Sequence, residues 1–258
     1  MKKTSSALPR LAVLSAAAIL SAAAATLAAQ VSPLAPRWLA GTPPPPVETF
    51  ASGLERHNIP LTEPALIDAL QNPDGDVRSL AAAQLAAMDD HAALPQINHA
   101  IGNEHDPQVR VNLAGAATWL GSRYALEQLV QLCQDINTPA TTRLDAARYV
   151  SHKGVADCYS SVEQIEHTDQ DPAMRVLAIS AAANYRGQEG SAVLLAGQAL
   201  QDVEPTVRTA GADALHGLRA VNSIQELEQA LHVESDETAR GHMREAIQSL
   251  RADQATHR

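Results

Sequence analysis

The sequence predicts an all-α fold, a right-handed α-solenoid of about six helical hairpins, on three observations. An arginine recurs at Arg78, Arg110, Arg143, Arg175, Arg208 and Arg240, at intervals of 32, 33, 32, 33 and 32 residues. A helix-start pattern precedes each of them. Aromatic residues make up only 3% of the chain against 45% hydrophobic residues, so the core must be Ala, Leu, Ile and Val, which suits closely packed helices and suits β-sandwiches badly. A fixed period of this size marks a unit too small to bury its own apolar faces, and stacking such units builds a continuous core.

Each copy reads as two helices. The second begins at Asp74-Gly-Asp-Val-Arg78, Asp106-Pro-Gln-Val-Arg110, Asp171-Pro-Ala-Met-Arg175, Glu204-Pro-Thr-Val-Arg208 or Asp236-Glu-Thr-Ala-Arg240, and the third copy departs with one extra residue, Thr138-Pro-Ala-Thr-Thr-Arg143. Asp74, Asp106, Asp171 and Asp236 suit a helix N-cap, Thr138 is read in the same role, and Glu204 is a weaker cap. Pro107, Pro139, Pro172 and Pro205 suit the first helical position, where a missing N–H goes unnoticed. Past the Arg, positions three, seven and ten draw an apolar stripe: Ala81, Leu85 and Met88; Leu113, Ala117 and Leu120; Ala178, Ala182 and Tyr185. Gly121, Gly154 and Gly187 then stand where a left-handed C-cap is wanted. The shorter first helix carries Leu66, Ile67 and Leu70; Ile97 and Ile101; Leu126, Leu129, Val130 and Cys133; Val155, Val162 and Ile165; Val193, Leu194 and Leu200; or Ile224, Leu227 and Leu231.

The Asp-Pro-x-Val-Arg start followed by an Ala-rich helix resembles the HEAT repeat, in particular the short HEAT-like repeat of phycobilisome lyases. The resemblance covers about three quarters of the chain and implies a solenoid whose Asp and Arg form a ladder between neighbouring repeats, here on Asp106, Arg110, Asp171, Arg175, Arg208 and Arg240. It is specific for fold and poor for function, because such solenoids serve scaffolds, adaptors and some enzymes alike. The recurring arginines are therefore read as a stacking device, since a residue that recurs in every unit solves a problem posed by every unit.

Residues 1–29 read as a signal peptide or membrane anchor. Lys2, Lys3 and Arg10 precede an uncharged stretch from Leu11 to Ala29, and Thr26-Leu27-Ala28 offers small residues ahead of a cut. The stretch is also long enough to span a bilayer, so cleavage and anchoring both stand. Either way the bulk of the chain is expected outside the cytoplasm, periplasmic or otherwise extracytoplasmic, and meets a membrane only through an uncleaved amino-terminal segment. Residues 30–53, with Pro33, Pro36 and the run Pro43 to Pro46, read as an extended linker. Residues 54–250 are the repeat solenoid and 251–258 a flexible tail.

Composition excludes several functions. A formal net charge of -10 disfavours an electrostatic nucleic-acid binder. Two cysteines are too few for a disulfide scaffold or a four-thiolate zinc site. Counted from the repeat arginines, Cys133 and Cys158 sit two helical turns apart, about 10 Å along the axis and about 8–10 Å sideways, which favours two buried free thiols over a bridge. The deoxyhypusine hydroxylases resemble this architecture and hold two irons with repeated His-Glu dipeptides. This chain has ten His and no His-Glu dipeptide, no His-Glu-x-x-His helix, no phosphate-binding glycine loop and no Gly-x-Ser-x-Gly elbow. No catalytic residue, metal or cofactor is therefore assigned.

What remains is a surface. Positions two, five and nine past each Arg point away from the apolar stripe, towards the side on which solenoids commonly bind. In the middle repeats they supply Asn112, Trp119, Asp145, Arg148, His152 and Asn184, and Trp119 is the one Trp of the array. The expected function is a non-catalytic extracytoplasmic scaffold or adaptor that binds a protein or peptide there, and the acidic chain suggests a partner carrying positive charge around an apolar anchor. The alternative is an enzyme or ligand-binding module with a site formed between repeats.

Overall fold

The structure is a computed structural model that describes residues 49–256. Residues 1–29, read as a signal peptide or membrane anchor, and nearly all of the stretch read as a proline-rich linker lie outside the described residues. The described chain is helical throughout, with thirteen helices and no strand. A short first helix, α1 (Phe50–Arg56), precedes six hairpins: α2 (Glu63–Ala69) with α3 (Gly75–Ala87), α4 (Leu94–Asn103) with α5 (Pro107–Trp119), α6 (Arg123–Gln134) with α7 (Ala140–His152), α8 (Tyr159–Thr168) with α9 (Pro172–Ala183), α10 (Glu189–Ala199) with α11 (Pro205–Gly217), and α12 (Ile224–Val233) with α13 (Glu237–Thr256). This is an α-solenoid. The second helices α3, α5, α7, α9, α11 and α13 pack on one another along the array, whereas the first helices barely touch each other.

Local chemistry explains the helix ends. The carboxylates of Asp74, Asp106, Asp171 and Asp236 each accept a backbone N–H from the first turn of the helix they cap. Glu204 makes no such bond, and Thr138 does not cap at all: the extra residue of the third copy moves the N-cap to Pro139, which has no side-chain acceptor. At the other end α1 and the second helices of the first five hairpins are each followed by a left-handed residue. Gly121, Gly154 and Gly187 occupy it with φ of 90°, 71° and 76°, and Asn58, Asp89 and Arg219 occupy the same turn with φ of 56°, 58° and 52°.

The predicted stripe is buried at Ala81, Leu85, Leu113, Ala117, Leu120, Ala178, Ala182 and Tyr185. Met88 is 44% exposed, and the 3-10 turn His91–Ala93 that follows buries Ala93 instead. Helix α10 is rotated by one residue from the expected face, so Leu195 is buried and Leu194 is 69% exposed. Two domain boundaries also move. Helix α1 starts at Phe50, inside the stretch read as linker, and α13 runs on to Thr256, so residues 251–256 are helix and not a loose tail. Helix α13 runs longer than the other second helices because Ala246, Ile247 and Leu250 keep an apolar face against α11 and α12.

The cysteines overturn the thiol expectation. Cys133, in the last turn of α6, and Cys158, just before α8, are joined as a disulfide with α-carbons 5.8 Å apart. Counting from the arginines assumed that α6 and α8 lie side by side in register. Instead the loop before α8 is drawn against the end of α6, where the Gln134 amide also donates to the carbonyl of Asp157 at 3.0 Å.

Candidate functional site

The ladder is present, and its acids are not the ones the resemblance implied. Asp106 and Asp171 are consumed as N-caps. The rung carboxylate stands six residues before the next repeat's Arg, and each rung Arg also donates to backbone carbonyls of its own repeat. Arg78 meets Glu104 through Nε at 2.8 Å and Nη2 at 2.7 Å while donating to the carbonyl of Asn72. Arg175 forks onto Asp202 with two bonds of 2.9 Å, and Arg208 onto Glu234 at 2.6 and 2.7 Å. The two forks are the strong, bidentate form of a charge-assisted hydrogen bond, whereas Arg78 brings both nitrogens to one oxygen, Oε2 of Glu104. Glu234 is held down at about 2, first by Arg208, against the upward push of burial. For Glu104 burial pushes up most, yet the Asp106 backbone N–H and Arg78 together leave its carboxyl lowered.

Two rungs differ. Six residues before Arg143 stands Asn137, which carries no charge, and Arg110 turns both guanidinium bonds onto the carbonyl of Glu104. Arg143 is 7% exposed and binds neutral groups, the carbonyl of Cys133 at 3.0 Å and the side chain of Gln164 at 2.9 Å. The missing signal was the acid at minus six, which the sequence carries at Glu104, Asp202 and Glu234; Asp169 stands at the same place before Arg175, but its carboxylate accepts the Asp171 N–H and Arg143 turns to Gln164 instead.

The six candidate binding residues divide in two. Asn112 and Asp145 are tied into contacts between second helices: Asn112 donates to Ser79 on α3 at 3.2 Å, and Gln108 on α5 donates to Asp145 on α7 at 3.0 Å. Asn184 turns back to the carbonyl of Ser180. Arg148 pairs with Asp145 at 3.1 Å and lies over the ring of Tyr149, 5.2 Å from its centroid. That ring rests directly on Gly115 of α5, where an added Cβ would come within 2.5 Å of it. The glycine is what lets α7 seat there.

Trp119 is 50% exposed, at the end of α5, and the ammonium of Lys153 stands 5.8 Å from its ring centroid. His152, exposed at the end of α7, is held below its ordinary pKa by partial burial and then by the charges of Arg186, Arg148 and Lys153. Lys153 and Arg186 were not among the sequence candidates. Their signal was position: each directly precedes the left-handed glycine of its turn, Gly154 and Gly187. Cations there suit the negative ends of α7 and α9. The outcome is a basic ridge with one aromatic on an acidic protein, opposite in local sign to the field expected from net charge. Among the described residues no group of three or more His, Cys, Asp or Glu is placed to hold a metal ion, and no helix is long and apolar enough to cross a membrane.

The six hairpins stack through their second helices, three of the junctions closed by an arginine–carboxylate rung, and residues 63–150 match the family model for HEAT repeats. Residues 63–150 carry HEAT repeats. The match covers the first three hairpins, and the arginine–carboxylate rung seen there at Arg78–Glu104 recurs beyond it at Arg175–Asp202 and Arg208–Glu234. Among solved structures the chain is similar to human deoxyhypusine hydroxylase in complex with glycerol, at 18% identity and a TM-score of 0.40, over 73% of each chain. No curated protein matches.

Proposed function

We propose that this HEAT array is an exported, non-catalytic scaffold that binds a protein or peptide partner on the ridge around Trp119. One observation carries the reading: a half-exposed indole with Lys153 at its ring, and Lys153, Arg148 and Arg186 gathered around the neighbouring repeat's His152. Trp and Arg are the side chains that most often dominate binding energy. The cations favour a partner that sets carboxylates around an apolar or aromatic group. The basic-then-apolar amino terminus supports export, and a cysteine pair is at home in an oxidising compartment.

The test is affinity capture from an envelope fraction with the wild-type chain and its Trp119→Ala variant, followed by titration of the captured partner. Trp119→Ala is expected to weaken binding by about 2 kcal/mol, roughly thirtyfold, with helix content unchanged. Undiminished binding by Trp119→Ala and Arg148→Ala together would move the site elsewhere. An alkaline phosphatase fusion after Gly53 checks the address, since an inactive fusion would place the array in the cytoplasm.

A further inference from the structure

Among the described residues Arg240, the rung arginine of the sixth hairpin, meets no carboxylate of a further repeat. Arg240 makes the backward contact of every rung, donating from Nη1 to the carbonyl of Glu234 at 3.3 Å. On its forward side Nε is buried without a hydrogen-bond partner, and the nearest carboxylate, Glu237, is 3.8 Å away, too long for a bond. Beside it an open groove of about 490 Å³ runs between α12 and α13. Leu231 and Ile247 give it an apolar floor, and His232, Arg244 and Arg251 line it with Arg240. Its one acid, Glu228, already holds Arg251.

A polar face on a repeat stops solenoids from stacking on themselves. That accounts for part of the pattern: four residues past the rung, the first five hairpins bury Ala82, Ala114, Ala147, Ile179 and Ala212, and the sixth carries the exposed Arg244. Capping does not require one sign of charge. In a chain of net charge -10, three arginines around a groove are a local reversal.

We propose that this end of the array is a docking site for an acidic segment of a protein partner, which seats a Glu or Asp carboxylate on Arg240 and apolar side chains on Leu231 and Ile247. The inner rungs are the template, because Arg208 and Arg175 show the group that completes such an arginine: a carboxylate accepting from Nε and Nη2 at 2.6–2.9 Å. A second copy stacked in register would instead bring Asn72, a neutral amide already accepting from the backbone of Asp74. The chain's own residues 1–48 carry Lys2, Lys3, Arg10 and Arg37 against Glu48 alone, the wrong sign.

The experiment titrates the full chain into a labelled synthetic peptide of its own residues 220–238, which contains the rung acid Glu234, and into the same peptide with Glu234→Gln. Fluorescence anisotropy is expected to saturate with the first peptide and to require about tenfold more protein with the second. Arg240→Ala is expected to abolish that preference. Arg244→Glu, an exposed change that leaves the buried rung alone, is expected to weaken binding at least about tenfold, whereas Trp119→Ala leaves it intact, which separates this site from the ridge. Equal binding of the two peptides, or none at millimolar concentration, overturns the proposal. Self-association in sedimentation that Arg244→Glu removes also overturns it, in favour of a second copy.

Discussion

The junctions on either side of the third hairpin and those further out solve the same stacking problem with different chemistry. At Arg78–Glu104, Arg175–Asp202 and Arg208–Glu234, neighbouring repeats are joined by a guanidinium and a carboxylate, largely buried. In the middle, Arg110 and Arg143 have only neutral acceptors, and α7 rests on α5 through the ring of Tyr149. There the chain has a disulfide, and the carbonyl of the bridged Cys133 is itself an acceptor for Arg143. The comparison teaches that a repeat's recurring residue need not recur in its bond: a covalent link can stand where a charge partner is missing. The basic ridge lies on the same irregular stretch, so the part of the array that departs from the repeat also carries the candidate site.

The strongest way to break this comparison is to reduce the bridge. Closing a loop between residues 25 apart is expected to be worth about 2–4 kcal/mol, chiefly through the unfolded chain. Urea denaturation of the oxidised chain and of Cys133→Ala with Cys158→Ala should differ by that amount, and coincident curves would remove the bridge from the account. The rungs come next. Arg175→Ala or Arg208→Ala strands a buried carboxylate and is expected to lower stability by about 1–3 kcal/mol. Arg110→Ala strands only a carbonyl and should lose less. The exposed Arg251→Ala should shift stability by about 0–1 kcal/mol. Equal losses at Arg110 and Arg208 would show that the carboxylates contribute nothing of their own.

Much of this was legible in the sequence. Period, N-cap aspartates and C-cap glycines stated the hairpins, because caps and turns are local chemistry that a few adjacent residues decide. The bridge and the rung acids were harder, since both depend on how one repeat lies on the next, and the extra residue of the third copy shifts that register. In the ridge, Trp119, Arg148 and His152 followed from helical spacing, whereas Lys153 and Arg186 sit past the helix ends, where spacing no longer points. Asn112 and Asp145 had the right direction, but neighbouring helices engage them first.

Acid titration sharpens the contrast, because buried carboxylates of opposite behaviour sit within one array. Glu104, Asp202 and Glu234 have lowered pKa values in the fold, so their contribution is present above the ordinary carboxylate range and is lost as pH falls, for Glu234 towards about 2. Glu166 on α8 is raised, first by burial and further by Asp202, with His167 offsetting part of it. A raised carboxyl favours the fold when protonated, and that contribution is lost as pH rises through its folded value. Glu166→Gln is therefore expected to stabilise the chain at neutral pH by about 1 kcal/mol and to do little at pH 4. Glu234→Gln is expected to destabilise at neutral pH and to flatten the acid limb. Urea midpoints for both variants between pH 3 and pH 8 decide it, and parallel profiles would leave the raised carboxyl at Glu166 without effect.

The smallest expected effect lies in the turns, which repeat the division between middle and flanks. The three middle turns place glycine at the left-handed position, and the outer ones place Asn58, Asp89 and Arg219. Asn and Asp tolerate that region because a short polar side chain can bond locally, but Arg219 at a φ of 52° has no such excuse. A Cβ there crowds the following carbonyl, at a penalty of about 1 kcal/mol that glycine avoids. Glycine also enlarges the freedom of the unfolded chain, which returns part of the gain. Arg219→Gly is thus expected to raise stability by about half a kcal/mol, and Gly154→Ala in the middle to lower it by about 1 kcal/mol. Added Cβ atoms at Gly121, Gly154 and Gly187 would meet nothing within 4 Å, so any loss at Gly154 reports backbone strain and not a clash. If Gly154→Ala is neutral while Arg219→Gly destabilises, the arginine side chain, not the backbone, is what the last full turn selects.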